Sequence, residues 1–351
     1  MNGFKILVLL LFVGLSVNAQ DTTYAERLGF PKGKKVVIIH VDDVGMSYES
    51  NMGAIETMEK GVATSCSMMM PCPWVAGFIH YLKEHPGTDA GLHLTLNAEW
   101  KDYRWGPVSG KPTVPGLTDK EGMFWSSVDD VIKHAAAKEV ETEIRAQIDK
   151  ALQMGFRPTH LDTHMFTLFA KAEFIQVYIK AGIDYKIPIM FPCGHNTLVK
   201  KQEDNFGLKK RETDSIGKIL WNNRLPVIDD LLSDSYSTGL PPGIKPTKEN
   251  LKQYKTEYYI NALKKIKPGI TYFISHASKL TELFTHISDS GPIREGDYLA
   301  LLNPELKIFI EKEGIILTTM KELMERRSKM KYFFISTTPL SPAISIGLPL
   351  E

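Results

Sequence analysis

Four stretches of the chain carry aspartate or histidine at or near the end of an apolar run. Asp42 and Asp43 follow Val36–Val41, and His93 sits in "GLHLTL". Asp162 and His164 close "PTHLDTH", and His276 closes "TYFISH". Two histidines and one carboxylate are a common set for a divalent ion that keeps positions open for water or substrate. Adjacent aspartates permit a division of roles. One carboxylate stays ionised on the cation while the other takes a proton from water that the cation activates. Neighbouring side chains of an extended segment point to opposite faces, which suits separate tasks. His276, arriving from another strand, is expected to protonate a leaving group. These residue types read as a metal-assisted hydrolase. The competing reading of Asp42 and Asp43 is a helix N-cap pair, because a helical pattern begins just beyond them and aspartate satisfies free backbone N–H groups.

His160 and His164 share a His-x3-His spacing. On a helix they would share a face, but the local pattern is strand, and four strand residues span about 13 Å. His164, nearer the carboxyl end, is therefore the expected ligand and His160 a structural residue. Asp162 shares the strand face of His164 and is expected to support a ligand from behind. A turn after the strand would change that facing.

These residues need elements to bring them together. Apolar runs alternate with helical patterns six or seven times, which argues for parallel strands joined by helical crossovers. A closed or partly closed β/α barrel and an open doubly wound sheet both fit, and both gather chemistry at the carboxyl ends of the strands. "VDDVIKHAAAKEVETEIRAQIDKALQMGF" (Val128 to Phe156) reads as helical throughout, and "IDYKIPIMF" as a strand weakened at Pro188. Residues 195–250 have poor periodicity and read as an excursion from a single domain spanning 20–330. The tail, 331–351, has no assignable place.

Composition adds bounds. Hydrophobic residues at 43% and charged residues at 24% are ordinary globular values. The net charge of +1 gives no electrostatic case for nucleic acid or an anionic membrane. "MNGFKILVLLLFVGLSVNAQD" has the order of a secretory signal peptide, with cleavage expected after Ala19 and a secreted or periplasmic product. No later segment is long and apolar enough to span a membrane. Cys66, Cys72 and Cys193 make no disulfide framework and read as buried free thiols, although Cys66 and Cys72 could pair in an oxidising compartment. Met68–Met70 reads as core filler.

The stretches "VDDVGMSYESNMGAIETMEKGVATSCSMMM", "GLHLTL" and "PTHLDTH" resemble the successive motifs of the YdjC-like carbohydrate deacetylases, in order and spacing, over Lys35 to Pro192. "FISHAS" resembles that family's late histidine motif. The resemblance implies a distorted, partly open β/α barrel of about seven parallel strands. It also implies removal of acetyl groups from N-acetylated sugars with a divalent metal, often assigned as magnesium; zinc or another transition metal would also suit the donors. By position, Asp43, His93 and His164 would be the ligands, Asp42 the general base and His276 the acid. There are departures. "MFTLF" (Met165 to Phe169) stands where the family commonly has more histidines, Ala277 replaces a proline, and Lys186 stands where an arginine is usual. Lys186 is then the candidate cation for substrate, although lysine cannot make arginine's bidentate contact. Trp100 and Trp105 in "EWKDYRWGP", with Tyr103, would either stack on a sugar or pack the loop onto the barrel. The competing functions are a hydrolase of another amide or ester, and an exported glycan-binding protein without turnover.

Overall fold

The structure is a computed structural model that describes residues 22–201 and 208–330. The expected signal peptide and the tail lie outside the described residues.

The run from Val36 to Val41 is apolar on both faces apart from His40 and forms β1 (Lys35–Val44), buried along nearly its whole length. A strand of that kind belongs in a parallel sheet covered on both sides. The helices that cover it follow in chain order. After α1 (Tyr24–Arg27) and β1 come α2 (Tyr48–Lys60), β2 (Ser65–Met68), α3 (Val75–Glu84) and β3 (Ala90–Leu94). Next are α4 (Val128–His134), α5 (Ala137–Gln153), β4 (Leu161–Thr163), α6 (Ala172–Tyr185), α7 (Lys210–Asn222) and β5 (Asp230–Leu232). The chain continues through α8 (Lys248–Lys265), β6 (Gly269–Ser275), α9 (Glu282–Thr285), α10 (Gly291–Leu301), α11 (Pro304–Lys312), β7 (Ile316–Leu317) and α12 (Met320–Lys329).

All strand pairs are parallel, in the order β4-β3-β2-β1-β6-β5, with β7 beside the start of β1. Between β4 and β5 the ladder is interrupted. Ile189 bridges to Leu161 and Pro192 to Ile228, so "IDYKIPIMF" closes the gap with single bridges rather than as a strand. Pro188 and Pro192 lack the N–H groups that a ladder needs. The result is a distorted, partly open β/α barrel.

Two expectations change. The helical run from Val128 breaks at Ala135 and Ala136, which are extended, and Glu139 Oε2 accepts the Ala136 N–H (2.9 Å) to start the second helix. Residues 195–250 are not an excursion, because they supply α7 and the barrel strand β5. That strand is three residues long and begins in acids that serve as buried backbone acceptors. Asp229 takes the N–H groups of Tyr24 (2.8 Å), Ala25 (3.1 Å) and Ile270 (2.9 Å), and Asp230 takes that of Leu198 (3.0 Å). Cys66, Cys72 and Cys193 are buried and free, and Met68–Met70 are core residues, as expected. No helix among the described residues is long and apolar enough to cross a membrane.

Helix α2 lies hard against the segment after β6. A Cβ on Gly53 would come 2.3 Å from the Ala277 carbonyl oxygen and 2.8 Å from the Ser278 Cα, both backbone atoms that cannot swing aside. Gly53→Ala is expected to lower unfolding free energy by about 1–3 kcal/mol, as overpacking does, in a urea titration. An unchanged midpoint would show that the helix can back away.

Candidate active site

On β2, Cys66 pairs with Val41 and Met68 with Val44, so Asp42 and Asp43 together face the single residue Ser67. This is a β-bulge, a device that re-aims side chains beside functional sites. Asp43 takes the left-handed conformation (φ 64°), which aspartate tolerates better than most residues. The bulge overturns the expectation that the two carboxylates point to opposite faces. Asp42 Oδ2 lies 3.8 Å and Asp43 Oδ1 3.3 Å from the same atom, His93 Nε2. Capping is also excluded as their role, because Ser47 caps α2 by accepting the Ser50 N–H.

The expected residues converge. Asp43 Oδ1 is 3.3 Å from both His93 Nε2 and His164 Nδ1, and the three ligand atoms lie within 4.8 Å of one another. All three residues are buried. Asp162 stands behind His93, accepting its Nδ1–H at 2.7 Å while its other oxygen accepts the Tyr272 hydroxyl at 3.1 Å. His164 lies beyond the end of β4, where the chain turns into a short helical segment, and so no longer shares a strand face with Asp162. His160 is buried beneath the group, its Nε2 3.9 Å from Asp162 and 3.3 Å from the Tyr272 hydroxyl. His276 follows β6 with its Nε2 3.9 Å from Asp42 Oδ2 and its ring against Tyr236.

Sequence reasoning missed three partners. Glu99 Oε2 is 3.0 Å from His164 Nε2, and His40 Nε2 lies 3.1 Å from Asp42 Oδ1 and 3.0 Å from Asp162 Oδ2. Arg294, from α10, is buried and places Nη2 2.7 Å from Asp43 Oδ2, with its guanidinium carbon 5.2 Å from the Tyr236 ring. His40 was legible: it interrupts an apolar strand two residues before Asp42, hence on the same face. Arg294 was not, because it comes from a helix rather than a strand end.

Two candidates fall away. Lys186 is the exposed left-handed C-cap of α6, and crossover helices end at the amino ends of the strands, away from the site. The cation that does line the cavity is Arg294, paired with Asp43. Trp105 is 4% exposed and its indole N–H donates to the Asn97 carbonyl, so it packs the loop beside His164 rather than offering a face to a ligand. Trp100 is half-buried, 5.7 Å from the Arg294 guanidinium carbon.

Electrostatics favour a cation at the centre. Burial lowers the His164 pKa, yet Glu99 and Asp43 outweigh it and push the value up to about 9. His93 is likewise raised, with Asp42 and Asp162 overcoming burial. Burial would raise Asp43, but Arg294 and the two histidines hold it well below the carboxylate range. For His276, burial dominates and lowers the pKa. Asp43 Oδ1 and His164 Nδ1 are buried without a hydrogen-bond partner, although each is aimed at the other's neighbourhood. Buried polar atoms rarely stay unsatisfied. A divalent ion fits this donor set, and each histidine carries an outer carboxylate of the kind that orients metal-bound imidazole. A cavity of about 710 Å³ opens over the group, lined also by Ser237, Met165 and Phe166.

A β/α barrel with Asp and His gathered at its strand ends defines a class of hydrolytic site. Residues 36–312 match the family model described as YdjC-like protein, and the chain belongs to that family. It is 30% identical over 282 residues to a carbohydrate deacetylase of Thermus thermophilus, a match covering 80% of this chain and 91% of the relative. A carbohydrate deacetylase of Thermoanaerobacter pseudethanolicus is 24% identical, with 81% and 97% covered. The crystal structure of an Enterococcus faecalis protein, described as a candidate cellobiose-phosphate cleavage protein, shares the fold with a TM-score of 0.64 at 22% identity, covering 83% of this chain and 99% of that one. With several enzymes among its relatives, the chain is an enzyme.

Arg294 is expected to matter for stability. In metal-free protein, Arg294→Met would leave the Asp43 carboxylate buried without its guanidinium. The expected cost is about 3 kcal/mol, the lower end for a broken buried pair, because His93 and His164 remain. Urea unfolding measures it, and a loss below the error of the fit would mean that the histidines suffice.

Proposed function

We propose that the chain hydrolyses the acetamide of an N-acetylated carbohydrate, with a divalent ion held by Asp43 Oδ1, His93 Nε2 and His164 Nδ1. The observation that carries the reading is the convergence of these three buried atoms, two of them lacking any hydrogen-bond partner. The carbohydrate deacetylases among the relatives support the substrate class. An ion held there would polarise the acetamide carbonyl and make a water molecule a better nucleophile.

The chain's own residues supply the proton transfers. Asp42, across the bulge from Asp43, takes the proton from the attacking water. His40, held by Ser65 and Ser67 at 3.0 Å each, keeps the Asp42 carboxylate oriented. His276, with its Nε2 3.9 Å from Asp42 Oδ2, donates to the departing amine nitrogen. Arg294 occupies one oxygen of Asp43 and leaves the other for the ion. Magnesium follows from the family resemblance, but two imidazole nitrogens are softer donors than magnesium favours. We assign the ion only as divalent. We further propose that the protein is exported, on the charge, apolar core and small-residue order of its first 19 residues.

The test is acetate release. Protein stripped with chelator and reloaded separately with magnesium, manganese, cobalt and zinc should deacetylate at least one member of an N-acetyl sugar panel. Silence with every ion would overturn the reading. Products of a mass change other than one acetyl unit would point to a different amide or ester. Asp42→Asn is expected to retain the ion while kcat falls roughly 10²–10⁴-fold, the range for a lost general base. Glu99→Gln is expected to weaken metal affinity about 10–100-fold by freeing the His164 ring, read by competition with a chelating dye. Unchanged affinity would remove Glu99 from the role.

A further inference from the structure

Tyr48 and Trp74 are 50% and 43% exposed, the only aromatic side chains among the large hydrophobic residues that stand out in solvent within the described residues. They touch each other, with ring centroids 5.2 Å apart. Tyr48 opens α2 after β1 and Trp74 is the N-cap residue of α3 after β2, so they sit on the face of the barrel that carries the site. Most exposed apolar side chains occur singly and need no explanation, whereas a paired aromatic patch beside a site does.

The patch is tied to the site by its backbone. The Trp74 N–H donates to the Gly45 carbonyl (3.0 Å), two residues past Asp43. Asn51 closes the other side, its Nδ2–H donating to the Trp74 carbonyl (3.0 Å) and its Oδ1 accepting the Gly45 N–H (2.7 Å). The tryptophan backbone is thus fixed while its ring is left open. The same stretch of backbone also meets the aromatic residues that pack beside the cavity. The Tyr103 hydroxyl donates to the Met46 carbonyl. Tyr103 meets Trp105 edge-on at 6.2 Å, Trp105 meets Trp100 at 5.6 Å, and Trp100 stands beside Arg294, which lines the cavity.

We propose that Tyr48 and Trp74 form an accessory sugar-binding subsite, which takes a pyranose ring of the same glycan chain whose acetylated residue occupies the cavity. The C–H face of a pyranose is apolar and weakly positive, and an aromatic face is its complement. A rigid, exposed ring loses little freedom when it binds. The inference deepens the deacetylase reading and rests on it for the identity of the ligand: the substrate is an oligosaccharide or longer chain rather than a single sugar.

Calorimetry on metal-free protein tests the subsite without turnover, with the β-1,4-linked tetramer and dimer of N-acetylglucosamine as probes. The tetramer is expected to bind more tightly than the dimer. That advantage should fall about tenfold in Trp74→Ala, the size of a single aromatic hot spot, and return in Trp74→Phe, which keeps a ring. Thermal melts of the variants confirm folding. Equal affinity for the two probes in the parent protein, or an advantage that survives Trp74→Ala, would overturn the subsite. Loss of the tetramer advantage in a protein that releases no acetate from any substrate would uphold the subsite while sinking the deacetylase reading, so the two fail separately.

Discussion

The Asp43 carboxylate sets the terms for the whole carboxyl end of the barrel. A charge buried this deeply is costly unless it is paired on every side. Its partners come from three directions: His93 from β3, His164 from the turn after β4, and Arg294 from α10. None is near it in sequence, so the carboxylate is compensated only when the barrel has closed around it. The backbone pays locally as well. A left-handed residue outside glycine costs on the order of 1–3 kcal/mol, and aspartate is among the few side chains that take it readily. Glutamate would reach further but would suit the bulge less well, which gives a physical reason for an aspartate here.

Behind Asp43, a second layer decides which ring nitrogens face the centre. Asp162 fixes His93 through Nδ1, and Glu99 fixes His164 through Nε2, so opposite nitrogens of the two rings turn inward. His40 links Asp162 to Asp42 and is itself held by Ser65 and Ser67 of β2. Strand β2 therefore shapes the site without putting a side chain into the cavity. The crowding is tight enough to constrain backbone composition. A Cβ on Gly91 of β3 would meet the His160 ring at 2.6 Å, so the strand that carries His93 has no room for a side chain at that position.

The strand ends were the legible part of the sequence because each combines an apolar run with an ionisable residue at its carboxyl end, and parallel strands must bring such ends together. Asp42, Asp43, His93, His164 and His276 were found on that pattern. What escaped it arrives by other routes. Arg294 comes from a helix, and Glu99 from a loop whose aromatic residues draw the eye first. β5 escaped because its apolar run is too short to register and its acids act as backbone acceptors, a use indistinguishable in sequence from a loop. Lys186 misled for a related reason. Sequence position relative to α6 says nothing about which end of the barrel a helix cap occupies, and the chain had reached the far end by then. The facing of Asp42 and Asp43 was beyond sequence pattern altogether, since one bulge residue reverses the alternation on which that pattern rests.

The stretch "MFTLF" gains a meaning from the same geometry. Met165 and Phe166 are both left-handed, at φ 49° and 53°, so the chain turns sharply as soon as His164 has been placed. A residue beyond that turn no longer follows the strand toward the ligand cluster. Met165, Phe166 and Phe169 instead join Val128 as an apolar side of the cavity, opposite in character to Arg294, Tyr236 and Ser237. Having these residues in place of histidines therefore leaves the group Asp43, His93 and His164 together and changes the wall. A pyranose has the same division, with hydroxyls around its edge and C–H groups on its faces. Under the deacetylase reading, the departure from the family's pattern acts on which sugar is held and how it is oriented, while the chemistry stays with the residues at the strand ends.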